Sequence, residues 1–458
     1  MDDRAQSVTP PVAIIGGGWA GCAAALTLAD AGVAVALHEA GSVLGGRARR
    51  VERDGLPLDN GQHLLLGAYS ETLALLDRVH GAIGARTRLV RRPLYFVPFA
   101  TTQRDALTLI ARAAPGRLGL LAGLLMARGL SWPERIANIR WFSALEAQGF
   151  TRPAHETVAM MLRPLPPRVA TLLWEPLCLA ALNTPVAAAS AQVFANVLRA
   201  SFGGSGDSSD FVLAAEDLTA LFPEAVQRVI VAAGGSVALG RRAQVVAAGP
   251  DRAILAVGDR AVTVNAVILA VGPHQIVQAL APEFVAGQPA LAAAVDVLQL
   301  LRHESITTVW LGYGQRVPLA APIMRLDDAP GQWLVDRPDI LTRATPSPGR
   351  PDLALMVAAI ISADGPHLHL PHADLVRAVD MQLRRLRPTW PSCVWSQVIV
   401  EKRATYACTP DRPRPAASRL APGLYVAGDY VDAEFPATLE AAVRSGIAAA
   451  QAVLADRA

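Results

Sequence analysis

The strongest constraint on the fold is a glycine-rich turn close to the start of the chain. A short apolar segment, Val12-Ala13-Ile14-Ile15, leads into Gly16-Gly17-Gly18-Trp19-Ala20-Gly21, and an alanine-rich stretch follows. The pattern predicts a β-strand, a tight turn at Gly16 and Gly18, and a helix that Gly21 allows to pack closely on the strand. Free amides at such a helix start bind a pyrophosphate, so the segment predicts a dinucleotide-binding unit.

An acidic residue stands at the distance that this unit requires. Glu39 follows the next predicted strand, Val33-Ala34-Val35-Ala36-Leu37, about 20 residues after the first glycine. Its carboxylate can accept hydrogen bonds from both hydroxyls of a ribose and would repel a phosphorylated ribose. A second glycine turn with basic side chains, Gly45-Gly46-Arg47, comes soon after, and its basic groups can lie over the pyrophosphate.

A segment near the other end of the chain fits the same unit. Residues 423–427 indicate a strand, Gly428-Asp429 a turn, and residues 438–446 a helix. Together with the Gly-Gly-Arg turn, they resemble the flavoprotein superfamily of amine oxidases and phytoene-type desaturases. The resemblance implies FAD as the cofactor. It also implies the residues that bind FAD, with the backbone near Ala243 beside the adenine: Gly16, Gly18, Gly21, Glu39, Gly46, Arg47, Ala243, Gly428 and Asp429.

Because the two ends belong to one unit, at least one domain is discontinuous. We predict an α/β fold with a Rossmann-like FAD-binding domain and a second, mixed α+β substrate domain. The FAD-binding domain is expected to comprise residues 8–75, 212–275 and 396–458, and the substrate domain residues 76–211 and 276–395. Within the middle FAD-binding segment, Pro223 to Ala233 indicates a helix with proline in its first turn.

Composition argues against several partners and sites. The formal net charge is only +3 and no basic tract is present, so nucleic acid is not expected as a partner. The four cysteines show no CxxC spacing, and the start Met1-Asp2-Asp3-Arg4 is polar. We therefore expect a reduced, cytoplasmic protein without a signal peptide and without a bound metal.

One apolar run bears on membrane contact. Hydrophobic residues make up 52% of the chain, and the run from Leu118 to Ala127 is too short to span a bilayer. Leu118, Leu121 and Leu125 fall on one face of a helix, which we predict to be buried. The alternative is a helix that lies on the inner membrane surface near the entrance for an apolar substrate.

Within the superfamily, the chain resembles the hydroxysqualene dehydroxylases of bacterial hopanoid biosynthesis over nearly its whole length. The resemblance is carried by the first glycine motif, Leu58-Asp59-Asn60-Gly61-Gln62-His63, Trp174-Glu175-Pro176-Leu177-Cys178, Glu401-Lys402-Arg403-Ala404-Thr405-Tyr406 and Gly428-Asp429-Tyr430. It implies a C30 isoprenoid substrate and a reduced flavin that delivers hydride to the carbon that loses its hydroxyl, which yields squalene. It also implies a partner that supplies electrons to the flavin.

Loss of the hydroxyl as water requires a proton donor in a pocket that excludes bulk water. His63 and Glu175 are our first candidates for this catalytic role. His63 follows a Gly-Gln turn that can face the flavin, and Glu175 lies in a motif of the resemblance, although it could instead brace a helix start. Further candidates in or near these motifs are Tyr406, Tyr430, Asp432 and Glu434.

Three other functions stay open. An isoprenoid desaturase would use a similar pocket and transfer hydride in the opposite direction. A flavin amine oxidase commonly places a lysine near the flavin, and Lys402 is the only lysine in this chain. Cys408 could link covalently to the flavin in such an enzyme, but a buried thiol is the commoner state of a cysteine. A scaffold that binds FAD and an isoprenoid without turnover is the third alternative.

Overall fold

The computed structural model describes residues 10–100, 106–110, 116–204, 207–349, 351–412 and 418–457. The polar start that we used for the localisation prediction lies outside this part, as does the side chain of Leu118. The described chain combines two large β-sheets with helices packed on and between them.

The strands, in chain order, are β1 (Val12–Ile15), β2 (Val35–His38), β3 (Arg50–Arg53), β4 (Leu56–Asp59), β5 (Leu65–Leu66), β6 (Leu89–Arg92), β7 (Tyr95–Phe96), β8 (Leu109–Ile110), β9 (Phe211–Ala214), β10 (Ser236–Ala238), β11 (Ala243–Ala248), β12 (Ala253–Val257), β13 (Arg260–Val264), β14 (Ala266–Leu269), β15 (His303–Tyr313), β16 (Ile323–Arg325), β17 (Trp333–Asp336), β18 (Leu355–Ser362), β19 (Trp395–Tyr406), β20 (Arg419–Ala421) and β21 (Leu424–Val426).

The α-helices are α1 (Trp19–Asp30), α2 (Ser70–Arg88), α3 (Gly116–Met126), α4 (Trp132–Ala147), α5 (Val158–Leu162), α6 (Pro167–Val169), α7 (Glu175–Leu182), α8 (Ala191–Phe202), α9 (Leu218–Leu221), α10 (Pro223–Ala232), α11 (Ile276–Ala279), α12 (Pro282–Ala286), α13 (Pro289–Gln299), α14 (Pro338–Arg343), α15 (His372–Leu386) and α16 (Leu439–Arg457). A π-helical turn, Ala170–Trp174, leads into α7.

The first sheet has six strands in the order β10-β2-β1-β14-β21-β20. All neighbours are parallel except β20 and β21. Strand β1 is buried along its whole length, as expected for an apolar strand covered on both faces. The sheet draws its strands from three separated stretches of sequence, and this arrangement confirms the predicted α/β class with a Rossmann-like sheet.

Small residues allow the helices to pack closely beside this sheet. Helix α1 packs against α16 and α10, and its alanines, such as Ala23 and Ala24, are fully buried. A Cβ placed on Gly446 of α16 would stand only 2.2 Å from the carbonyl oxygen of Ala20. The alanine-rich sequence of α1 therefore lets the C-terminal helix return to the N-terminal motif.

The second sheet has five antiparallel strands in the order β16-β17-β18-β15-β19. Helix α15 packs against β15 and β19. We assigned residues from 396 onward to the FAD-binding domain, whereas β19 is hydrogen-bonded to β15 in this second sheet. Alternating apolar residues indicate a strand but not its partner, so the sequence could not assign β19 to a sheet. The other domain bounds stay predictions.

Helix α3 differs from the predicted buried helix. Leu120 and Leu124 are buried, whereas Leu125 is 43% exposed and Met126 is 58% exposed. Nearly every position of α3 is apolar, so the sequence alone could not set the rotation of the helix about its axis. Within the described ranges, none of the helices combines the length and the hydropathy that a membrane span requires.

Candidate functional site

The turn between β1 and α1 forms the first wall of the site. Gly16 has a φ of +110°, and a Cβ there would stand 2.4 Å from the carbonyl oxygen of Ala270. A Cβ on Gly21 would stand 2.0 Å from the carbonyl oxygen of Gly16. Only glycine permits this approach of α1 to the sheet. Gly18 precedes α1 without a side-chain cap, so amides of the first turn remain available to an anion.

Backbone amides fix Glu39 beside this turn. One carboxylate oxygen accepts a hydrogen bond from the Gly17 amide at 2.7 Å, and the other accepts from the Gly41 amide at 2.6 Å. Each oxygen of a carboxylate has a second lone pair. The structure therefore holds Glu39 in one orientation and leaves its oxygens able to accept the hydroxyls of a ribose.

The second glycine turn touches the first. The Gly45 amide donates to the carbonyl oxygen of Gly17 at 2.8 Å. A Cβ on Gly46, whose φ is +61°, would stand 3.1 Å from the Cα of Gly18. The backbones of the two turns thus lie side by side, and a side chain at Gly46 would displace one of them.

Arg47 joins this turn to the other end of the chain. Its Nη2 donates to Asp429 Oδ1 at 2.7 Å, and its Nη1 donates to the carbonyl oxygen of Ala404 at 2.7 Å. Asp429 is buried, with 4% of its surface exposed. The ion pair holds together residues that are almost the whole chain apart in sequence.

These elements enclose a cleft of about 1020 Å³. Its lining includes eight of the nine residues that we predicted to bind the cofactor: Gly16, Gly18, Glu39, Gly46, Arg47, Ala243, Gly428 and Asp429. The ninth, Gly21, is not in the lining, and it allows α1 to pack on the sheet instead. An uncapped helix start, a fixed carboxylate and a close backbone turn together fit the pyrophosphate and ribose of FAD.

A second, apolar cavity of about 310 Å³ adjoins the cleft. Most of its walls are aliphatic and aromatic side chains from helices α7 and α8, from one face of the second sheet and from segments near β5, β7 and β9. They are Leu64, Leu66, Leu94, Leu177, Phe194, Val197, Leu198, Phe202, Phe211, Ile306, Ile323, Trp333, Ile360 and Ile399. Seven residues line the cleft and the cavity alike: Arg47, His63, Glu401, Ala404, Ala437, Thr438 and Leu439. We call these shared residues the junction.

His63 lies at the junction, where the sequence placed a candidate acid. Burial, together with the positive charges of Arg47 and Arg337, lowers the pKa of His63 to about 4. The imidazole is therefore neutral at pH 7, where it can donate or accept a hydrogen bond but holds no extra proton to give.

Glu401 is a junction residue that our sequence reasoning did not select as an acid. It lies on β19, and its Oε2 accepts a hydrogen bond from Asn60 Nδ2 at 3.0 Å. Asn60 Nδ2 also donates to the carbonyl oxygen of Arg47 at 3.2 Å. The signal was present in the sequence, because Glu401 begins one of the motifs that carry the family resemblance.

A buried ion pair stabilises the segment that carries His63. Arg337 Nη1 donates to Asp59 Oδ2 at 2.9 Å and to Gln62 Oε1 at 3.0 Å. Asp59 Oδ1 also accepts from the Leu218 amide at 3.0 Å. Arg337 belongs to the second sheet's region and Asp59 to the motif that contains His63, so the pair fixes that motif against the second sheet. Arg337 also donates to both carboxylate oxygens of Asp339 at 2.7 Å. Sequence reasoning missed Arg337, since its local spacing from Asp339 does not indicate the distant partner Asp59.

The structure does not bring Glu175 to the junction. Glu175 begins α7 and lines neither the cleft nor the cavity, although Leu177 of the same helix lines the cavity. Residues 167–174 are helical and lead directly into α7, so Glu175 lies within a continuous helical run and not at a free helix start. The sequence motif around Glu175 does not reveal which side of α7 faces the cavity.

The remaining candidates lie outside the junction, although Tyr430 lines the cleft. Asp432 and Glu434 accept hydrogen bonds from Arg444, at 2.9 Å in each case, and line neither cavity. The Tyr430 hydroxyl donates to the carbonyl oxygen of Val271 at 3.0 Å, and the Tyr406 hydroxyl to that of Phe435 at 3.1 Å.

Three further predictions concern the cysteine, the lysine and the metal. Cys408 is buried and lines neither cavity. Lys402 is exposed at the edge of the cofactor cleft. Among the described residues, no group of three or more His, Cys, Asp and Glu side chains could hold a metal ion.

Comparison with known proteins agrees with this geometry. The sequence profile of the family described as flavin containing amine oxidoreductase matches residues 19–454. Hydroxysqualene dehydroxylases of Sinorhizobium fredii and Rhodopseudomonas palustris are each 27% identical to this chain, over 97% of it and 98% of their own length. The crystal structure of an oxidoreductase from Methanosarcina mazei has a TM-score of 0.70 at 15% identity, and covers 97% of this chain and 100% of that chain.

These comparisons confirm the predicted resemblance, the fold and the cofactor. The profile spans nearly all of the chain, including the second glycine turn and the C-terminal Gly-Asp turn that line the cleft, and it begins directly after the first glycine turn. The chain is thus an FAD-dependent oxidoreductase and belongs to the flavin-containing amine oxidoreductase family.

Proposed function

We propose that this oxidoreductase removes the hydroxyl group of hydroxysqualene, a C30 isoprenoid alcohol, and forms squalene. The observation that carries the proposal is the apolar cavity that meets the cofactor cleft at a junction of polar groups. Relatives named hydroxysqualene dehydroxylase, which align with almost the whole chain, support the same reaction.

The cavity has the polarity that a long hydrocarbon with one oxygen requires. Arg47 and Glu401 are the charged residues among its described lining, and both lie at the junction. Burial of a hydrocarbon against the remaining apolar walls contributes roughly 25 cal/mol for each Å² removed from water. The hydroxyl-bearing carbon is the part of such a substrate that polar groups can orient, so it is expected at the junction.

The proposed reaction exchanges a hydroxyl group for a hydride. When bound, reduced FAD supplies the hydride. The carbon–oxygen bond breaks as the hydroxyl takes up a proton and leaves as water, and the carbon gains hydride, so the alcohol is reduced and one water is released. The protein must supply the proton and exclude bulk water from the reacting carbon. A separate electron donor must reduce the flavin again.

We assign the transfer of the proton to the Glu401 carboxyl, which must itself take up a proton from solvent before the hydroxyl leaves. Glu401 is the carboxylic acid shared by the cleft and the cavity, and Asn60 holds one of its oxygens. His63 is neutral at pH 7 because its pKa is lowered to about 4, so we assign it the role of orienting the substrate hydroxyl by a hydrogen bond. Arg47 carries a fixed positive charge beside both residues.

Anaerobic single-turnover kinetics test the proposal. The FAD-loaded protein is reduced, hydroxysqualene in detergent is added, and flavin absorbance and squalene are followed together. We expect reoxidation of the flavin with one squalene formed for each flavin. The matched arm mixes oxidised protein with squalene and with phytoene, where we expect no flavin reduction.

Two results would overturn the proposal. Reduction of the oxidised flavin by phytoene or squalene would indicate a desaturase. A reduced flavin that no isoprenoid alcohol reoxidises, in protein that retains FAD, would indicate a scaffold.

A further inference from the structure

We infer that the end of α3 and the start of α4 form a docking surface for an anionic lipid bilayer. Four large apolar side chains are exposed there: Leu125 by 43%, Met126 by 58%, Trp132 by 61% and Ile136 by 43%. We call these four residues the α3–α4 face. Clustered apolar side chains on a protein surface commonly mark a site of interaction.

Hydrogen bonds hold this face in one arrangement. Arg135 on α4 donates from Nη1 to the carbonyl oxygen of Leu125 and from Nε to that of Leu130, each at 3.0 Å. Its guanidinium carbon lies 4.9 Å from the centroid of the Trp132 ring. The apolar side chains at the end of α3 and the start of α4 are therefore presented together on a fixed turn.

The charges around the face identify the partner. Residues 116–140 contain Arg117, Arg128, Arg135 and Arg140 but a single acid, Glu134. Glu134 accepts from the Ser131 amide at 2.7 Å and from the Ser131 hydroxyl at 2.8 Å, as part of the capping box of α4. The stretch thus carries a formal charge of +3, equal to that of the whole chain. Arg128, Arg135 and Arg140, close in sequence to the exposed Trp and Leu side chains, complement anionic lipid headgroups, and the apolar side chains complement the apolar layer beneath them.

The position of the face connects it to the cavity. Helix α3 packs against α8, and α8 lines the apolar cavity through Phe194, Val197 and Leu198. Helices α3 and α8 would lie between a bilayer on the α3–α4 face and the cavity. The inference deepens the proposed function, and one point rests on it: the bilayer would be the source of the substrate, since hydroxysqualene would be dissolved there.

Vesicle cosedimentation tests the inference with the FAD-loaded, full-length protein. Vesicles of equal parts phosphatidylglycerol and phosphatidylcholine are compared with vesicles of phosphatidylcholine alone, at low and high salt. We expect binding to the anionic vesicles that weakens with salt. Trp132→Ser with Met126→Ser is expected to lower the partition coefficient about tenfold or more, and Arg128→Gln with Arg140→Gln about fivefold for each arginine.

Matched controls keep the result specific. Met381→Ser and Arg228→Gln change exposed side chains on other helices, and we expect both to bind vesicles as the unchanged protein does. Squalene formation from detergent-dispersed hydroxysqualene is measured for every variant. The α3–α4 variants are expected to retain it, since their residues line neither the cleft nor the cavity.

The outcomes separate the two proposals. If anionic vesicles bind but no squalene forms, docking stands and the proposed function fails. If squalene forms in detergent but vesicles do not bind, or bind equally well to the α3–α4 variants, docking is overturned and the function stands. A mass in solution that falls from dimer to monomer in Trp132→Ser with Met126→Ser would assign the face to a second copy of the chain and would also overturn docking.

Discussion

The cofactor cleft and the apolar cavity adjoin each other but are built from different parts of the chain. Backbone atoms and glycines of three short turns form much of the cleft, and each turn carries a local sequence motif. The cavity is formed by side chains from helices and strands spread from Leu64 to Leu439, few of them in any motif. A site made by the backbone constrains its sequence locally, whereas a cavity made by side chains needs only apolar residues of suitable volume.

The junction combines both kinds of construction. Arg47 comes from a glycine turn, and His63 from a motif that follows β4. Glu401 lies on a long strand of the second sheet. The chemistry that we propose therefore depends on the relative placement of the two regions. Four predictions test the junction carboxyl, the ion pair that connects the two regions, the packing of the cleft and the buried histidine. They run from the largest expected effect to the smallest.

The first prediction concerns the junction carboxyl. Glu401→Gln should slow reoxidation of the reduced flavin by hydroxysqualene by roughly 10²–10⁴-fold, because general acid catalysis contributes about that much. FAD content should stay unchanged. The matched control is Glu175→Gln, whose rate should stay near that of the unchanged protein, since Glu175 lines neither cavity. Equal losses in both variants would contradict the assignment.

The second prediction concerns the ion pair that connects the regions. Arg337→Met leaves the Asp59 carboxylate buried without its cationic partner and also removes the pair with Asp339. Together these losses should lower the free energy of unfolding by about 3–5 kcal/mol. The midpoint of thermal unfolding of FAD-loaded protein measures the effect. In the control Arg377→Met, the lost partner Asp374 is exposed, and the expected change is below about 1 kcal/mol. Similar shifts for both variants would show that Asp59 and Arg337 do not hold the regions together.

The third prediction acts on the cleft alone. Gly21→Ala places a Cβ 2.0 Å from the carbonyl oxygen of Gly16, so α1 must move away from the sheet at a cost of about 1–3 kcal/mol. We expect a lower ratio of FAD to protein after gel filtration. Gly314→Ala is the control, because its Cβ would stand at ordinary contact distance, 3.7 Å, from the Asp352 carbonyl oxygen. Full retention of FAD by Gly21→Ala would contradict the close-packing argument.

The fourth prediction concerns pH. His63 has its pKa lowered by burial and by Arg47 and Arg337, from 6.5 to about 4. Between these values the unfolded chain binds more protons at His63 than the folded chain, so His63 makes stability rise as pH increases from about 4 to 6.5. In His63→Gln this rise in the thermal midpoint should be smaller. An unchanged slope would show that His63 does not titrate in this way.

The sequence predicted the cleft better than it predicted the cavity. Eight of the nine predicted cofactor residues line the cleft, because each glycine or acid was identified by a neighbouring strand or turn. Of the two predicted acids, His63 reaches the junction and Glu175 does not. The motif around Glu175 indicates a helical segment, but the direction of the Glu175 side chain depends on how α7 packs against the rest of the chain.

Helix α3 shows the same limit on the surface. Its sequence is apolar at nearly all positions, so it was consistent both with a buried helix and with one at a membrane surface. Packing buries Leu120 and Leu124 and leaves Leu125 and Met126 exposed. That result decides which side chains are free to contact a partner.

The sequence alone determined that this chain has an α/β dinucleotide-binding unit assembled from both of its ends, since glycine turns and an acid at fixed spacing encode local backbone geometry. Tertiary structure alone decided that Arg47 pairs with Asp429, that Arg337 pairs with Asp59, and that Glu401 stands where cleft and cavity meet. These contacts join residues from distant parts of the chain. Their geometry is set by the packing of whole sheets and helices, which no local spacing records.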